Sequence, residues 1–197
     1  MESDIQRFIP GLAKWGEELC LQGRNCFLGT IQYEQLDPLD GPIAFQQRQG
    51  VADICSLLIQ QSDSRPRSPR RFQYLPTIIA IPDLPVAKYL KSTVATFEVN
   101  RGLHWQWFSA HHPDSRVPCM VTHFRDKKDF YKSKVPSLSL LHAKPVTYTP
   151  GYLMDYLVKH IKRGSFDIDD IMIFPSHSLD FAKRRIEERQ NRRAFIS

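Results

Sequence analysis

Two tyrosines and a lysine in the last third of the chain have the spacing of residues that share one helix face. Tyr152, Tyr156 and Lys159 stand four and three residues apart, and side chains at those separations are neighbours on an α-helix. An ammonium group beside a phenol can hold a phosphate, or stabilise the phenolate that a tyrosine forms when it attacks phosphorus. The alternative interpretation is that both tyrosines are half-buried packing residues whose hydroxyls reach water.

The helix that must position these residues has recognisable ends. Thr149 is a suitable N-cap, and Pro150 suits the first helical position because the missing N–H of proline would be unpaired there in any residue. Gly164 predicts the end of the helix, directly after the basic Lys162 and Arg163. An apolar stripe with a spacing of four is expected to face the core, at Leu153, Leu157 and Ile161.

A candidate metal site lies in a predicted strand. Side chains alternate between the faces of a strand, so His104 and Gln106 are expected on one face and Trp105 and Trp107 on the other. Glu98, in the preceding predicted strand, would add a carboxylate. Nitrogen and oxygen ligands of this kind suit Mg²⁺ or Mn²⁺ better than a closed zinc site. The alternative is an edge strand on which His104 and Gln106 merely face water.

The remaining pattern predicts an α+β fold with one antiparallel sheet and helices packed on one face, as in ferredoxin-like and RRM-like domains. The predicted strands are Cys26–Tyr33, Leu75–Ile81, Ser92–Val99, Leu103–Ala110, Cys119–Phe124 and Leu138–Tyr148. The predicted helices are Leu12–Leu21, Ile43–Gln61, Arg125–Ser133, Tyr152–Arg163 and Phe181–Arg193. The expected organisation is an N-terminal arm (1–22), a sheet domain (23–176) and a basic C-terminal helix (177–197).

Charge favours an acidic partner. The 197-residue chain has a formal net charge of +6 and a pI near 9.2, which suits nucleic acid or an anionic membrane surface. No apolar run approaches the length of a membrane span, and residues 1–4 lack the pattern of a signal peptide, so we expect a cytoplasmic protein without a membrane partner. The residues expected to contact a nucleic-acid backbone are Arg65, Arg67, Arg70, Arg71, Lys162, Arg163, Lys183, Arg184 and Arg185.

The four cysteines predict no disulfide framework. They are widely spaced and form no C-x-x-C pair, and we interpret them as reduced thiols, with a zinc site as the less favoured alternative. The four are Cys20, Cys26, Cys55 and Cys119.

Three segments, in this order, resemble the HUH superfamily of single-strand DNA nucleases, which includes rolling-circle replication initiators and related transposases. The run 26–33 resembles the first motif, a hydrophobic strand leading to a helix. The run 102–107 stands in the place of the metal motif, two histidines flanking a bulky hydrophobic residue, with Gln106 replacing the second histidine. The run 149–159 is similar to the third motif, in which a helical tyrosine is followed three residues later by lysine.

The resemblance implies an HUH-type fold for residues 23–176 and metal-dependent nicking and joining of single-stranded DNA through a 5′-phosphotyrosyl intermediate. Tyr156 would be the nucleophile, Lys159 its partner and Tyr152 a second tyrosine. The Mg²⁺ or Mn²⁺ ion would be held by His104, Gln106 and Glu98. The protein would be the replication initiator of a plasmid, phage or mobile element, acting on origin DNA with a host helicase or polymerase as partner.

Two other functions fit the same residues. A regulator could keep the fold and bind DNA without cleaving it, with metal-independent binding that depends steeply on salt. A structural or host-interaction protein could instead use its basic terminal helix to dock on an acidic partner.

Overall fold

Five antiparallel strands form a single sheet in the computed structural model, which describes residues 2–84, 99–147 and 150–175. The strands are β1 (Asn25–Tyr33), β2 (Thr77–Asp83), β3 (His104–His111), β4 (Leu138–Pro145) and β5 (Met172–Phe174). Their spatial order is β4-β1-β3-β2-β5. The predicted α+β class with an antiparallel sheet is confirmed.

Helices cover both faces of this sheet, so the prediction of helices on one face is wrong. The helices are α1 (Glu2–Leu21), α2 (Ile43–Ser62), α3 (Met120–Asp126), α4 (Lys128–Lys134), α5 (Pro150–Leu157) and α6 (Lys159–Lys162). One core lies between the sheet and α2, α3 and α4, and a second lies between the sheet and α1, α5 and α6. The reason is visible in the Thr-Ile-Ile-Ala-Ile run of β2, which is apolar on both faces and needs cover on both.

Two further elements differ from their predictions. The segment predicted as a strand at Cys119–Phe124 is helical, because Met120 and Phe124 stand four residues apart and enter the same core. Helix α1 begins ten residues before the predicted Leu12 and continues through Pro10. It packs against α5 and contributes Ile9 to the second core.

Two other predicted elements cannot be compared in full. Both edges of β3 are paired, with β1 and β2, so β3 is not an edge strand. Residues 92–98 of the predicted hairpin lie outside the described residues. The basic helix predicted at Phe181–Arg193 also lies outside them.

The helix ends predicted at Pro150 and Gly164 agree with the structure, while the predicted N-cap Thr149 lies outside the described residues. Helix α5 begins at Pro150, a one-residue interruption at Val158 separates it from α6, and the chain then leaves the helix at Gly164 with φ of 69°. The amide of Ser165 donates to the carbonyl of His160, and that of Gly164 donates to Ile161, both at 2.9 Å. This is the Schellman arrangement that a glycine makes possible. The predicted apolar stripe Leu153, Leu157 and Ile161 is buried in the second core.

The substitution Gly29→Ala should strongly destabilise the protein. A Cβ atom on Gly29 would lie within van der Waals overlap of the Trp107 ring and the backbone oxygen of His142. Neither group can move without disturbing the sheet, so we expect the free energy of unfolding to fall by about 3 kcal/mol. In the matched variant Gly11→Ala the new methyl group meets nothing within 4 Å, and the helix should gain about 0.5–1 kcal/mol. Urea unfolding of both variants tests this, and equal stabilities would contradict it.

His111 should make the protein less stable in acid. Its side chain is fully buried, with Nε2 3.1 Å from the hydroxyl of Ser109, and burial lowers its pKa to about 3. Between pH 6.5 and 3 the unfolded chain therefore binds this proton and the folded chain does not. The free energy of unfolding should fall by about 1.4 kcal/mol per pH unit of acidification from this group. Urea unfolding at several pH values should show a shallower slope for His111→Asn than for the wild type, and an equal slope would contradict this prediction.

Candidate active site

Strand register aligns a row of polar side chains on the sheet face that α1, α5 and α6 cover. Asp83 at the end of β2 lies opposite His104 at the start of β3, and Thr30 of β1 lies opposite Gln106. Further along the same strand face, Phe108 belongs to the apolar core. The polar row therefore lies at one end of the sheet, where the apolar core ends.

Asp83 is the centre of this group. Only 3% of the residue is exposed, and its Oδ2 lies 2.9 Å from Nζ of Lys159 and 3.3 Å from Nε2 of His104. Its other oxygen, Oδ1, lies 2.9 Å from Nε2 of His160. Oδ1 of Asp83 and Nε2 of His160 are close but not oriented for a hydrogen bond, and each is buried without a hydrogen-bond partner among the described residues. The close distance therefore indicates electrostatic contact, not a hydrogen bond.

The charges in this group depend on one another. Burial alone would raise the pKa of Asp83, but the hydrogen bonds from His104 and Lys159 outweigh it and lower that pKa. Burial would lower the pKa of His104, but Asp83 and the carbonyl of Gly102 outweigh it and raise that pKa. For His160 burial prevails, and its pKa is lowered despite the nearby carboxylate. The arrangement therefore favours a carboxylate held between an ammonium and an imidazolium.

His104 and Gln106 are in direct contact, as the predicted alternation of faces requires. Nδ1 of His104 lies 3.0 Å from the carbonyl oxygen of Gly102, which can only accept, so Nδ1 carries a proton and Nε2 faces the cluster. Nε2 of Gln106 lies 3.3 Å from Nε2 of His104, and the hydroxyl of Thr30 donates to Oε1 of Gln106 at 3.2 Å. The two indoles of the strand, Trp105 and Trp107, lie in the core on the opposite face.

Lys159 connects the predicted tyrosine to this cluster. Its Nζ lies 4.1 Å from the centre of the Tyr156 ring, a cation–π contact, while donating to Asp83. Tyr156 is 42% exposed, so its side chain is partly open to solvent. Tyr152, one turn earlier, is 75% exposed, and the described contacts do not join it to the cluster.

The arginines predicted to contact a nucleic-acid backbone lie away from this cluster. Arg71 donates to the buried Asp63 at 2.7 Å and lies over the Tyr74 ring, so it has a structural partner. The exposed members of this loop are Arg65, Arg67 and Arg70. The loop is joined to the segment that follows β3 through the amide of Arg116, which donates to Ser62. It therefore lies at the end of β3 opposite His104.

Of the other predicted basic residues, Lys162 and Arg163 directly follow the cluster in α6. Both are exposed, and Lys162 donates to Asp155 at 2.9 Å. The remaining predicted residues Glu98, Lys183, Arg184 and Arg185 lie outside the described residues.

Asp83 and His160 were not predicted from the sequence. An acidic residue directly after the apolar run of β2 is the signal that could have identified Asp83. That signal becomes specific only when β2 is known to pair with β3, which the sequence does not reveal. His160 adjoins Lys159 in the sequence, but its position beside Asp83 depends on how α6 packs against β2.

The cluster contains three side chains with atoms that can ligate a divalent cation: the carboxylate of Asp83, Nε2 of His104 and the amide of Gln106, whose oxygen accepts from Thr30 and whose nitrogen faces His104. Within the described ranges, no three His, Cys, Asp or Glu side chains form a metal site by themselves, and the third donor here is an amide. The Nδ1 contact of His104 with a backbone carbonyl is typical of metal-binding histidines. Oδ1 of Asp83 lacks a hydrogen bond. A divalent cation would therefore need Nε2 of His104 without its proton and the oxygen of Gln106 turned toward Asp83, which would take the place predicted for Glu98.

Comparison with protein-family models, curated proteins and solved structures found no significant match for this chain. None of the helices in the described part of the chain is long and apolar enough to cross a membrane.

The substitution Asp83→Asn should lower the pKa of His104, because the amide cannot stabilise the imidazolium. An NMR titration of the histidine ring protons would measure this shift. Asp114→Asn is the matched control, since Asp114 lies 3.7 Å from a different imidazole, that of His112. If His104 titrates unchanged in Asp83→Asn, the ion-pair cluster described above is wrong.

Proposed function

We propose that this protein is an HUH-type endonuclease that nicks and rejoins single-stranded DNA, with Tyr156 as the nucleophile. The observation that supports the proposal is the continuous series of contacts from Tyr156 through Lys159 and Asp83 to His104 and Gln106. The sequence places the tyrosine and histidine groups about fifty residues apart, and packing of α6 against β2 and β3 joins them. A phenol, an ammonium and a metal-binding donor set in one place suit phosphoryl transfer.

The reaction would exchange one phosphate ester for another. The phenol of Tyr156 loses its proton as its oxygen attacks phosphorus, the bond from phosphorus to the 3′-oxygen breaks, and the 3′-oxygen takes up one proton, so no net proton is released. The 5′-phosphate remains esterified to Tyr156. Joining is the reverse reaction, in which a 3′-hydroxyl attacks the phosphotyrosine and releases the phenol. No oxidation or reduction occurs, and the ester bond energy is retained for rejoining.

The residues around Tyr156 would prepare this step. Lys159 places a positive charge over the phenol ring, where it favours the phenolate and the negative phosphate. Asp83 holds Lys159 and His104 in fixed directions through its Oδ2. Oδ1 of Asp83, with His104 and Gln106, would bind a Mg²⁺ or Mn²⁺ ion, which supplies Lewis-acid polarisation of the phosphate.

The proposed substrate is origin DNA of a plasmid, phage or mobile element, with the protein as replication initiator and a host helicase or polymerase as partner. The overall positive charge supports an acidic polymer as ligand. Lys162 and Arg163 are the basic residues of the described chain that adjoin the cluster in sequence. Arg65, Arg67 and Arg70 would contact only a strand long enough to reach the other end of the sheet.

One observation favours the alternative of a DNA-binding regulator that does not cleave. Lys159 and His104 already balance the charge of Asp83 without a cation. The network could therefore be purely structural, because a buried carboxylate needs such partners in any protein. A regulator of this kind would bind DNA equally well in EDTA.

The substitution Tyr156→Phe tests the proposed nuclease. A pool of single-stranded oligonucleotides, labelled at the 5′ or the 3′ end, would be incubated with the protein and Mn²⁺ or EDTA and run on a denaturing gel. The wild type should form a metal-dependent covalent adduct with the 3′-labelled fragments, because the 5′-phosphate stays on the protein. Tyr156→Phe should form none, since the phenyl ring has no nucleophilic oxygen. Tyr74→Phe, at the opposite end of the sheet, should form the adduct normally.

Each other result has a definite meaning. Adducts that persist in Tyr156→Phe but vanish in Tyr152→Phe would transfer the role of nucleophile to Tyr152. A salt-sensitive gel shift without any adduct, unaffected by EDTA, would overturn the nuclease and support the regulator. Loss of the adduct in His104→Ala, with DNA binding retained, would support a metal ligand at that position.

A further inference from the structure

Two cysteines that the proposed reaction does not use face each other at the end of helix α1. Cys20 lies in the last turn of α1 and Cys26 is the second residue of β1. The thiol of Cys20 donates to Sγ of Cys26, with 2.7 Å between the two sulfur atoms. Both side chains are partly buried and both thiols are free. The pair is therefore in position for covalent chemistry between its members.

We propose that Cys20 and Cys26 are a redox site that takes a small-molecule disulfide, such as oxidised glutathione, and forms a reversible intramolecular disulfide. One thiolate attacks the disulfide of the small molecule, giving a mixed disulfide and one free small thiol. The other cysteine then attacks the protein sulfur of that mixed disulfide and releases the second small thiol. Two protein thiols are oxidised to a disulfide, and one small disulfide is reduced to two thiols.

The turn between the cysteines brings their sulfur atoms together. A disulfide requires its two Cβ atoms to lie close together. Most pairs of cysteines would need backbone movement to meet this requirement. Here the turn is formed by Gly23, which has φ of 74° and whose amide donates to the carbonyl of Cys20 at 3.1 Å. The left-handed conformation at Gly23 reverses the chain and places the first residues of β1 beside α1. The bridge would close a loop of only five intervening residues.

An oxidant can reach this pair. Cys20 and Cys26 line an open cleft of about 550 Å³, together with Arg24, Cys119 and Val146 among others. The guanidinium of Arg24 is held at this cleft by the carbonyls of Gln73 and Leu75. A cation in that position suits the carboxylates of a glutathione molecule.

The environment favours a lasting disulfide once it is formed. Burial raises the pKa of both thiols, so thiolate attack is slow at neutral pH and each sulfur is a poor leaving group in exchange. The bond would join the end of α1 to the sheet. Leu19, next to Cys20, packs in the same core as Leu153 and Leu157 of the helix that carries Tyr156. Oxidation should therefore fasten the layer of helices that lies over this sheet face.

The experiment uses the full chain in a Cys119→Ser background, because hydrogen bonding at Thr122 lowers the pKa of Cys119 and makes it a competing thiol. The protein would be incubated with oxidised glutathione at pH 8.5 and its intact mass and peptide map recorded. We expect the loss of two hydrogen atoms, a cross-linked peptide joining Cys20 and Cys26, and a higher Tm than that of the reduced protein. Adding either Cys20→Ser or Cys26→Ser should replace the cross-link with one bound glutathione.

Three results would overturn this proposal. They are three unmodified thiols in the oxidised Cys119→Ser protein, separate glutathione adducts on Cys20 and Cys26 without a cross-link, and a cross-link that uses Cys55 instead. A correctly cross-linked protein whose Tm and α1 hydrogen exchange equal those of the reduced form would overturn the proposed effect on the helix layer. None of these outcomes depends on cleavage of DNA, so the redox site and the nuclease are tested separately.

Discussion

The buried ion pair between Asp83 and Lys159 is the interaction on which the proposed site depends. A carboxylate that is almost inaccessible to water is costly unless cations and hydrogen bonds compensate it. Lys159 and His104 provide this compensation from α6 and from β3. The carboxylate therefore links α6 to the adjoining ends of β2 and β3. Through Lys159 it also determines where the ring of Tyr156 lies.

The sheet face that α1, α5 and α6 cover changes from apolar to charged along its strands. The helix pair α5 and α6 above this face changes from apolar to basic in the same direction. On β2 the residues of this face are Ile79, Ile81 and then Asp83. Leucines of α5 pack over the apolar part, whereas the basic residues of α6 lie at the acidic end. Hydrophobic burial thus positions the helix pair, and the charged group forms at its border, where Tyr156 remains open to solvent. A reactive phenol needs this combination of a rigid support and an accessible hydroxyl.

The same cluster explains why a nuclease and a regulator are close alternatives. Without a cation, Asp83 is balanced by groups of the protein itself, and the network is complete as a structural element. With a cation, the oxygen that has no hydrogen bond and the two polar side chains of β3 would become ligands under the proposal made above. The difference between the two functions is therefore whether Asp83 also binds a metal, because the protein groups are the same in both. The dithiol at Cys20 and Cys26 lies at the other end of the helix layer and is independent of that choice.

Local sequence signals determined the ends of the helix at Pro150 and Gly164, its buried leucine stripe and the alternation of His104 and Gln106 with the tryptophans. Those features depend on residues within a few positions of one another, and local sterics and periodicity suffice to predict them. Only the tertiary structure decided the order of the strands, the cover on both faces and the helix at Met120. It alone placed Asp83 beside His104, since strand pairing depends on contacts between distant segments that no local pattern specifies.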